Sequence, residues 1–297
     1  MNGIICINKP QDISSFGVVA KVRGITREKK AGHTGTLDPM ATGVLPVMLG
    51  TATRFLNYLP DSDKGYRASF RLGVTTDTLD ITGGVLTRCE TSLGAGDIEA
   101  VLPNFRGEIM QLPPMYSAKS VDGVRLYELA RQGVEVERTP CEVEIKKLEL
   151  IGENDGEFTL DVTCSKGTYI RSLIADIGDA LGCGAVMTAL CRTHACGFTL
   201  DDCKTLAELQ EMRDYDEPFD GVIIPVERLL SPYKKVCVSA AQARRFSNGG
   251  ALDINRIKTK TAPDEICTVY GDNDDFLGLA QNSDGELKAL RLLPHSN

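Results

Sequence analysis

Ala31-Gly-His-Thr-Gly-Thr-Leu-Asp-Pro-Met-Ala-Thr-Gly-Val-Leu-Pro46 is the stretch on which the reading of this chain turns. Three glycines and two prolines in sixteen residues imply a tightly constrained loop, with apolar stretches on both sides to anchor it. One histidine, one aspartate and several hydroxyls sit inside it. A carboxylate on a rigid loop beside basic residues, as at Asp38, suits a nucleophile or a general base. Pro39 fixes its own φ and biases Asp38 away from helical geometry. The plainer alternative is that Asp38 caps a turn and His33 fills a hydrogen-bonding slot, and spacing alone leaves both open. The chain has no G-x-S-x-G, no Walker A and no dinucleotide fingerprint.

Outward from this loop the elements are mixed. Tyr66-Arg-Ala-Ser-Phe-Arg-Leu72 alternates with period two and predicts a strand with one polar face. Val143–Leu150 and Phe158–Cys164 predict two more strands, joined by a turn over Gly152–Gly156. Asp97 is placed to cap a helix through Phe105. Leu126–Gln132 reads as a helix stopped by Gly133, and Ser172–Leu181 as an amphipathic helix ending at Gly182. Strands and helices interleave without a regular βαβ rhythm, so the fold class is α+β. Pro225 and Pro232 punctuate a boundary near 228–235. Short strands follow at Val236–Ser239, Glu265–Tyr270 and Phe276–Ala280. About 60 residues is marginal for an independent domain, so this module is expected to pack on the main body.

Composition bounds the rest. The chain has 297 residues, 42% apolar and 25% charged, which excludes a wholly disordered or fibrous protein. No apolar run approaches the roughly 20 residues of a membrane-spanning helix, and the N-terminus lacks the pattern of a signal peptide. Ten cysteines form no C-x-x-C pair. Cys191-Arg-Thr-His-Ala-Cys196 is the one cluster suggestive of zinc, but it lacks a fourth ligand and the usual spacing, so no metal is expected. Free thiols without an export signal point to the cytoplasm. The net charge of −8 is uneven. Residues 1–72 carry ten basic and five acidic groups, net +5, which leaves −13 for the remainder. Residues 201–227 alone hold nine acidic groups against two basic ones.

Gly32–Pro46 closely resembles the signature of the TruB-type tRNA pseudouridine synthases. Four further segments match that family in order and spacing. Asn8-Lys-Pro-Gln-Asp-Ile-Ser-Ser15 resembles its N-terminal element, with Asp12 where the family often has glycine. Asp61–Arg67 resembles its tyrosine-bearing strand, and Pro113–Lys119 and Cys164–Arg171 match two later motifs. Cys191 stands where the family often has a second arginine. Together these motifs span roughly residues 3–200.

The resemblance implies a mixed, largely antiparallel pseudouridine synthase sheet with flanking helices. It implies a catalytic domain over 1–230, with an RNA-clasping insertion at 115–140, and a small β-rich PUA-like RNA-binding module at 235–297. It implies that uridine 55 in the T loop of tRNA becomes pseudouridine. The N-glycosidic bond breaks, the uracil turns in its pocket, and C5 rejoins the ribose. That chemistry needs no cofactor. Position by position, Asp38 matches the nucleophile and Arg171 the arginine paired with it. Tyr66 matches the tyrosine that stacks on the flipped uracil and relays the C5 proton. Tyr169 and Leu190 match pocket residues, and alternation is expected to put Tyr169 and Arg171 on one face of one strand. His33 matches a histidine that enters the T loop where the target base had stacked. Lys9 matches a lysine that supports the loop. Lys119, Arg125 and Arg131 are expected to meet phosphate, as are Arg244, Arg245, Arg256, Lys258 and Lys260 in the C-terminal module. The partner is the tRNA T stem-loop, with no membrane and no second protein required, and a monomer is expected. The competing readings are a non-catalytic RNA-binding or tRNA-folding protein, a guide-RNA-dependent relative and, more distantly, a glycosidase.

Overall fold

The computed structural model describes every residue except 118, 122 and 295–297, and only the backbone at 120, 121, 125, 127 and 131. Arg125 and Arg131, expected to meet phosphate, therefore have side chains outside the described positions.

Among the described residues, a nine-stranded sheet forms the main body. Its central path runs Gly3–Lys9, Thr42–Leu49, Ala185–Ala195, Lys64–Leu72, Glu157–Cys164, Cys141–Asn154 and Gly107–Gln111. Neighbours along this path are antiparallel except at one seam, where Cys191 and Arg192 pair in parallel with Thr42 and Gly43. The sheet is thus mixed and largely antiparallel, as expected.

Alternation decides which side chains go where. On Gly3–Lys9 and Thr42–Leu49, Ile5, Ile7, Leu45 and Val47 face one way. They pack on Val18, Val19 and Val22 of the helix Ser15–Thr26 and on Leu209 of the acidic helix Leu206–Asp214. Ile4, Cys6, Val44 and Met48 face the other way, into a cluster completed by Phe55, Phe198 and the C-terminal module. On the other half of the sheet, Tyr66, Ala68, Phe70, Leu160 and Val162 pack on Leu173, Ile174 and Ile177 of the helix Ile170–Ala180.

Residues 234–292 build a second, five-stranded sheet with its own core around Val236, Phe246, Val269, Leu277 and Leu287. Phe276 and Leu279 point outward from it into the main body, and Phe276 meets Phe55 at a ring-centroid distance of 5.7 Å. The module packs on the main body as anticipated. It also contains a helix, Ala240–Ser247, and a final strand, Glu286–Leu292, which the sequence pattern did not single out.

Three local expectations change. The turn in the Cys141–Cys164 hairpin is only Asp155-Gly156, both at positive φ, because the first strand continues through Asn154. Asp97 caps its helix from inside: it is the third helical residue, and its carboxylate accepts from the Gly94 amide at 2.9 Å. Half of the glycine-rich signature is sheet rather than loop. Ala31–His33 and Thr42–Leu49 are strands, and the true loop is only residues 34–41.

Candidate active site

The loop at 34–41 is anchored by both its apolar residues and its carbonyls. Leu37, Met40 and Ala41 insert into the core around Tyr66 and Ile170, which leaves Asp38 between them at the surface of a cavity. Two fully buried cations hold the backbone from below. Lys9 Nζ donates to the carbonyls of Pro10, Pro39 and Ala41 at 2.9, 3.0 and 2.6 Å. Arg192 donates to Val44, Thr36 and Gly35 at 2.8, 3.3 and 3.1 Å. Ser15 Oγ donates to the Leu37 carbonyl at 3.0 Å and accepts from its amide at 2.8 Å. A buried ammonium or guanidinium is costly unless its donors are met. Here the loop carbonyls meet them, so the charges and the loop conformation depend on each other. Burial lowers the Lys9 pKa to about 8, with Asp38 and Asp12 acting in the opposite sense.

Asp38, on this rigid base, pairs with Arg171, whose Nε lies 3.0 Å from Oδ2. Arg171 is buried and divided among four acceptors. Besides Asp38, it meets Asp80 Oδ2 at 3.5 Å and donates to the carbonyls of Thr78 and Tyr116 at 3.0 and 2.8 Å. Asp80 is itself fixed, since its Oδ1 accepts from Thr78 Oγ1, the Thr82 amide and Thr82 Oγ1. The result is a carboxylate–guanidinium–carboxylate row in which only Asp38 reaches the cavity appreciably, with 35% of its side chain exposed against 5% for Asp80. The Asp38 pKa is raised above the ordinary carboxylate value, chiefly by burial. Arg171 opposes that rise and the nearby Asp80 adds to it.

Six of the residues singled out from the sequence line one cavity of ≈ 380 Å³: Asp38, Tyr66, Lys119, Tyr169, Arg171 and Leu190. Lys64 adds to its polar wall. His33 does not line this cavity but lies in an adjoining one of ≈ 830 Å³, together with Asp38 and Arg171. Burial depresses its pKa, with Arg192 adding to the effect, so neutral imidazole is favoured; its Nδ1 is buried without a partner. Tyr66 is buried at the centre of the sheet, opposite Val162 and Arg192. Burial pushes its hydroxyl pKa up and Arg192 beside it pulls the other way.

The strand expected to carry both Tyr169 and Arg171 is absent. Tyr169 is the N-cap of the helix Ile170–Ala180 and Arg171 lies in its first turn. The two reach one cavity because the chain turns there, not because of alternation. Gln111 secures the turn: its Oε1 accepts from the Tyr169 amide at 2.7 Å and its Nε2 donates to the Tyr169 carbonyl at 3.0 Å. Helix propensity won over the period-two pattern because Ile170, Leu173, Ile174 and Ile177 form an apolar stripe that buries on the sheet.

Asp80, Lys64 and Arg192 are site residues that sequence reasoning missed. Asp80 carried a faint signal: Thr76-Asp-Thr-Leu-Asp-Ile-Thr82 is dense in side chains that close turns. Arg192 carried none, since nothing in a strand pattern marks an arginine as fully buried. The suspected cluster at Cys191, His194 and Cys196 gathers no further donors, and among the described residues no group of three or more metal-ligating side chains forms.

Three family descriptions match in succession. "TruB family pseudouridylate synthase (N terminal domain)" covers residues 23–170, "tRNA pseudouridylate synthase B C-terminal domain" covers 171–231, and "Pseudouridine synthase II TruB, C-terminal" covers 235–293. The chain is 44% identical over 296 residues to tRNA pseudouridine synthase B of Chromobacterium violaceum, covering 99% of this chain and 95% of the relative. It is 41% identical to the protein of that name from Clostridium kluyveri, covering 98% and 99%. Among solved structures, a chain in a crystal structure of a Cbf5–Nop10–Gar1 complex is similar at a TM-score of 0.78 and 26% identity, over 98% of this chain and 85% of the other. Motifs, sheet order and full-length identity agree: the chain belongs to the TruB family of pseudouridine synthases.

Proposed function

We propose that this pseudouridine synthase, an isomerase acting on tRNA, converts uridine 55 of the T loop and that Asp38 is its nucleophile. The observation that carries this reading is the Asp38–Arg171 ion pair in a cavity that Tyr66 also lines. Arg171 holds one carboxylate oxygen of Asp38 and stabilises its ionised form, which leaves the other oxygen for attack. The target uridine is flipped out of the loop, at a cost of a few kcal/mol that an inserted ring partly offsets. Neutral His33, in the adjoining cavity that Asp38 also lines, fits that inserting role. Tyr66 and Leu190 bracket the base, Tyr169 closes the pocket, and the detached uracil turns there before C5 bonds to the ribose. A cavity of ≈ 380 Å³ is of the size that retains a small ring. Lys258 and Lys260 beside a second cavity support an RNA-binding role for residues 235–297.

The alternative of a non-catalytic RNA-binding or tRNA-folding protein on this scaffold has no observation that favours it. One experiment separates the two. Wild type incubated with an unmodified T-arm stem-loop is expected to form one pseudouridine, mapped to position 55. Asp38→Asn is expected to form none while its RNA Kd stays within severalfold. Product at the wild-type rate from Asp38→Asn would remove Asp38 as nucleophile, and no product from wild type would leave the binding reading.

A further inference from the structure

Phe16 occupies the first turn of the helix Ser15–Thr26 and is 70% exposed. The buried face of that helix is Ser15, Val18, Val19, Val22 and Ile25, and Phe16 lies off it. A single exposed apolar side chain is ordinary on a protein surface and by itself means little. Its position is what distinguishes this one. The described large apolar residues with high exposure include Ile81, Val85, Leu86, Met110, Ile151 and Tyr215. Of all those described, Phe16 alone lines either cavity that contains Asp38: it shares the ≈ 830 Å³ cavity with His33, Asp38 and Arg171.

The backbone beneath it is also anchored. Ser15, the preceding residue, is clamped in both directions to the backbone of Leu37, one residue before Asp38. Ser14 caps the helix by accepting from the Gly17 amide at 3.0 Å. The backbone that carries the phenyl ring is therefore anchored to the Asp38 loop, and the exposed ring lines the groove. Exposed aromatic rings recognise unstacked bases in RNA loops.

We propose that Phe16 is a stacking platform for one unpaired nucleobase of the substrate loop, next to the flipped uridine and in the cavity that His33 also lines. This rests on the RNA-modifying reading above and adds a subsite to it. The ring supplies binding rather than chemistry, because it has no proton to give or take.

The test uses the full chain with a T-arm stem-loop and a set of variants of that RNA, each abasic at one loop position other than the target. Phe16→Ala is expected to weaken RNA binding by about 5–100-fold, the loss falling on Kd and KM far more than on kcat. Phe16→Trp is expected to bind at least as well as wild type, and both variants should melt with wild type because the ring is exposed. One abasic position is expected to weaken wild type by the same factor and Phe16→Ala hardly at all, since the pair is broken only once. A Phe16→Ala Kd within twofold of wild type, or losses that simply add at every abasic position, would overturn the proposal. These are binding measurements, so they decide the point even if wild type forms no pseudouridine, an outcome that would instead sink the catalytic reading.

Discussion

Asp38 sits in a field that works against its own ionisation. Burial and Asp80 raise its pKa, and Arg171 and Lys9 only partly offset them. Two consequences follow with definite signs. Attack requires the ionised carboxylate, so the single-turnover rate should fall as pH drops through a value above the ordinary aspartate range. Removing the like charge with Asp80→Asn should lower that value, moving the acid limb to lower pH. The plateau rate should fall as well, because Arg171 loses an anchor. A pH–rate profile checks both, and an acid limb that stays put or moves upward would show that Asp38 does not feel Asp80. The second consequence concerns stability. A carboxyl whose folded pKa is raised binds its proton more tightly folded than unfolded, so stability from this group falls as pH rises past it. Asp38→Asn should therefore melt no lower than wild type at pH 7, and a Tm several degrees lower would contradict the upward shift. Asp38 and Arg171 were legible because their motifs are distinctive. Asp80 was not, since its role comes from a guanidinium 91 positions away in the chain, reached only through folding.

The signature segment shows how an element can be recognised and still misread. Gly43 looked like loop flexibility, yet it lies inside the strand Thr42–Leu49 at φ +103°, on the parallel seam beside Arg192. A Cβ there would sit 2.2 Å from the Arg192 carbonyl oxygen. Glycine is needed for both conformation and close approach. Gly43→Ala is expected to destabilise the protein by roughly 2–4 kcal/mol, from the unfavourable φ and the forced backbone shift together. Urea denaturation measures it, and a change under 1 kcal/mol would mean that the seam yields easily. Asp12 gives the converse lesson: it stands where the family often has glycine and adopts φ +63°, a conformation aspartate tolerates better than most residues. Strands with clean alternation were readable because one face is buried. The strand-to-helix switch at Tyr169 was not, because short apolar runs fit both periods and Gln111, which pins the turn, lies 58 residues earlier.

At the scale of the whole molecule, charge and packing determine which experiment is informative. Deleting residues 235–297 would remove the module proposed to bind RNA, but it would also uncover Phe55 and the cluster around Met48, on which Phe276 and Leu279 pack. Loss of binding in such a truncation would mix lost contacts with a damaged main body. Charge substitution avoids this. Lys258 and Lys260 are exposed and line a ≈ 720 Å³ cavity of the module, away from that junction. The net charge of −8 averages a +5 segment around the active-site loop with an acidic remainder. The acidic helix Leu206–Asp214 packs on the side of the sheet that carries Val18 and Leu45. If phosphates meet the basic segment and the module's lysines, log Kd should worsen linearly with log salt, and each phosphate contact removed should reduce the slope by about 0.7–1. Lys258→Ala with Lys260→Ala is therefore expected to lower the slope by up to about 2 and to weaken tRNA binding. A wild-type slope near zero would exclude phosphate contacts on either surface. An unchanged slope in the double variant would exclude Lys258 and Lys260 from phosphate contact.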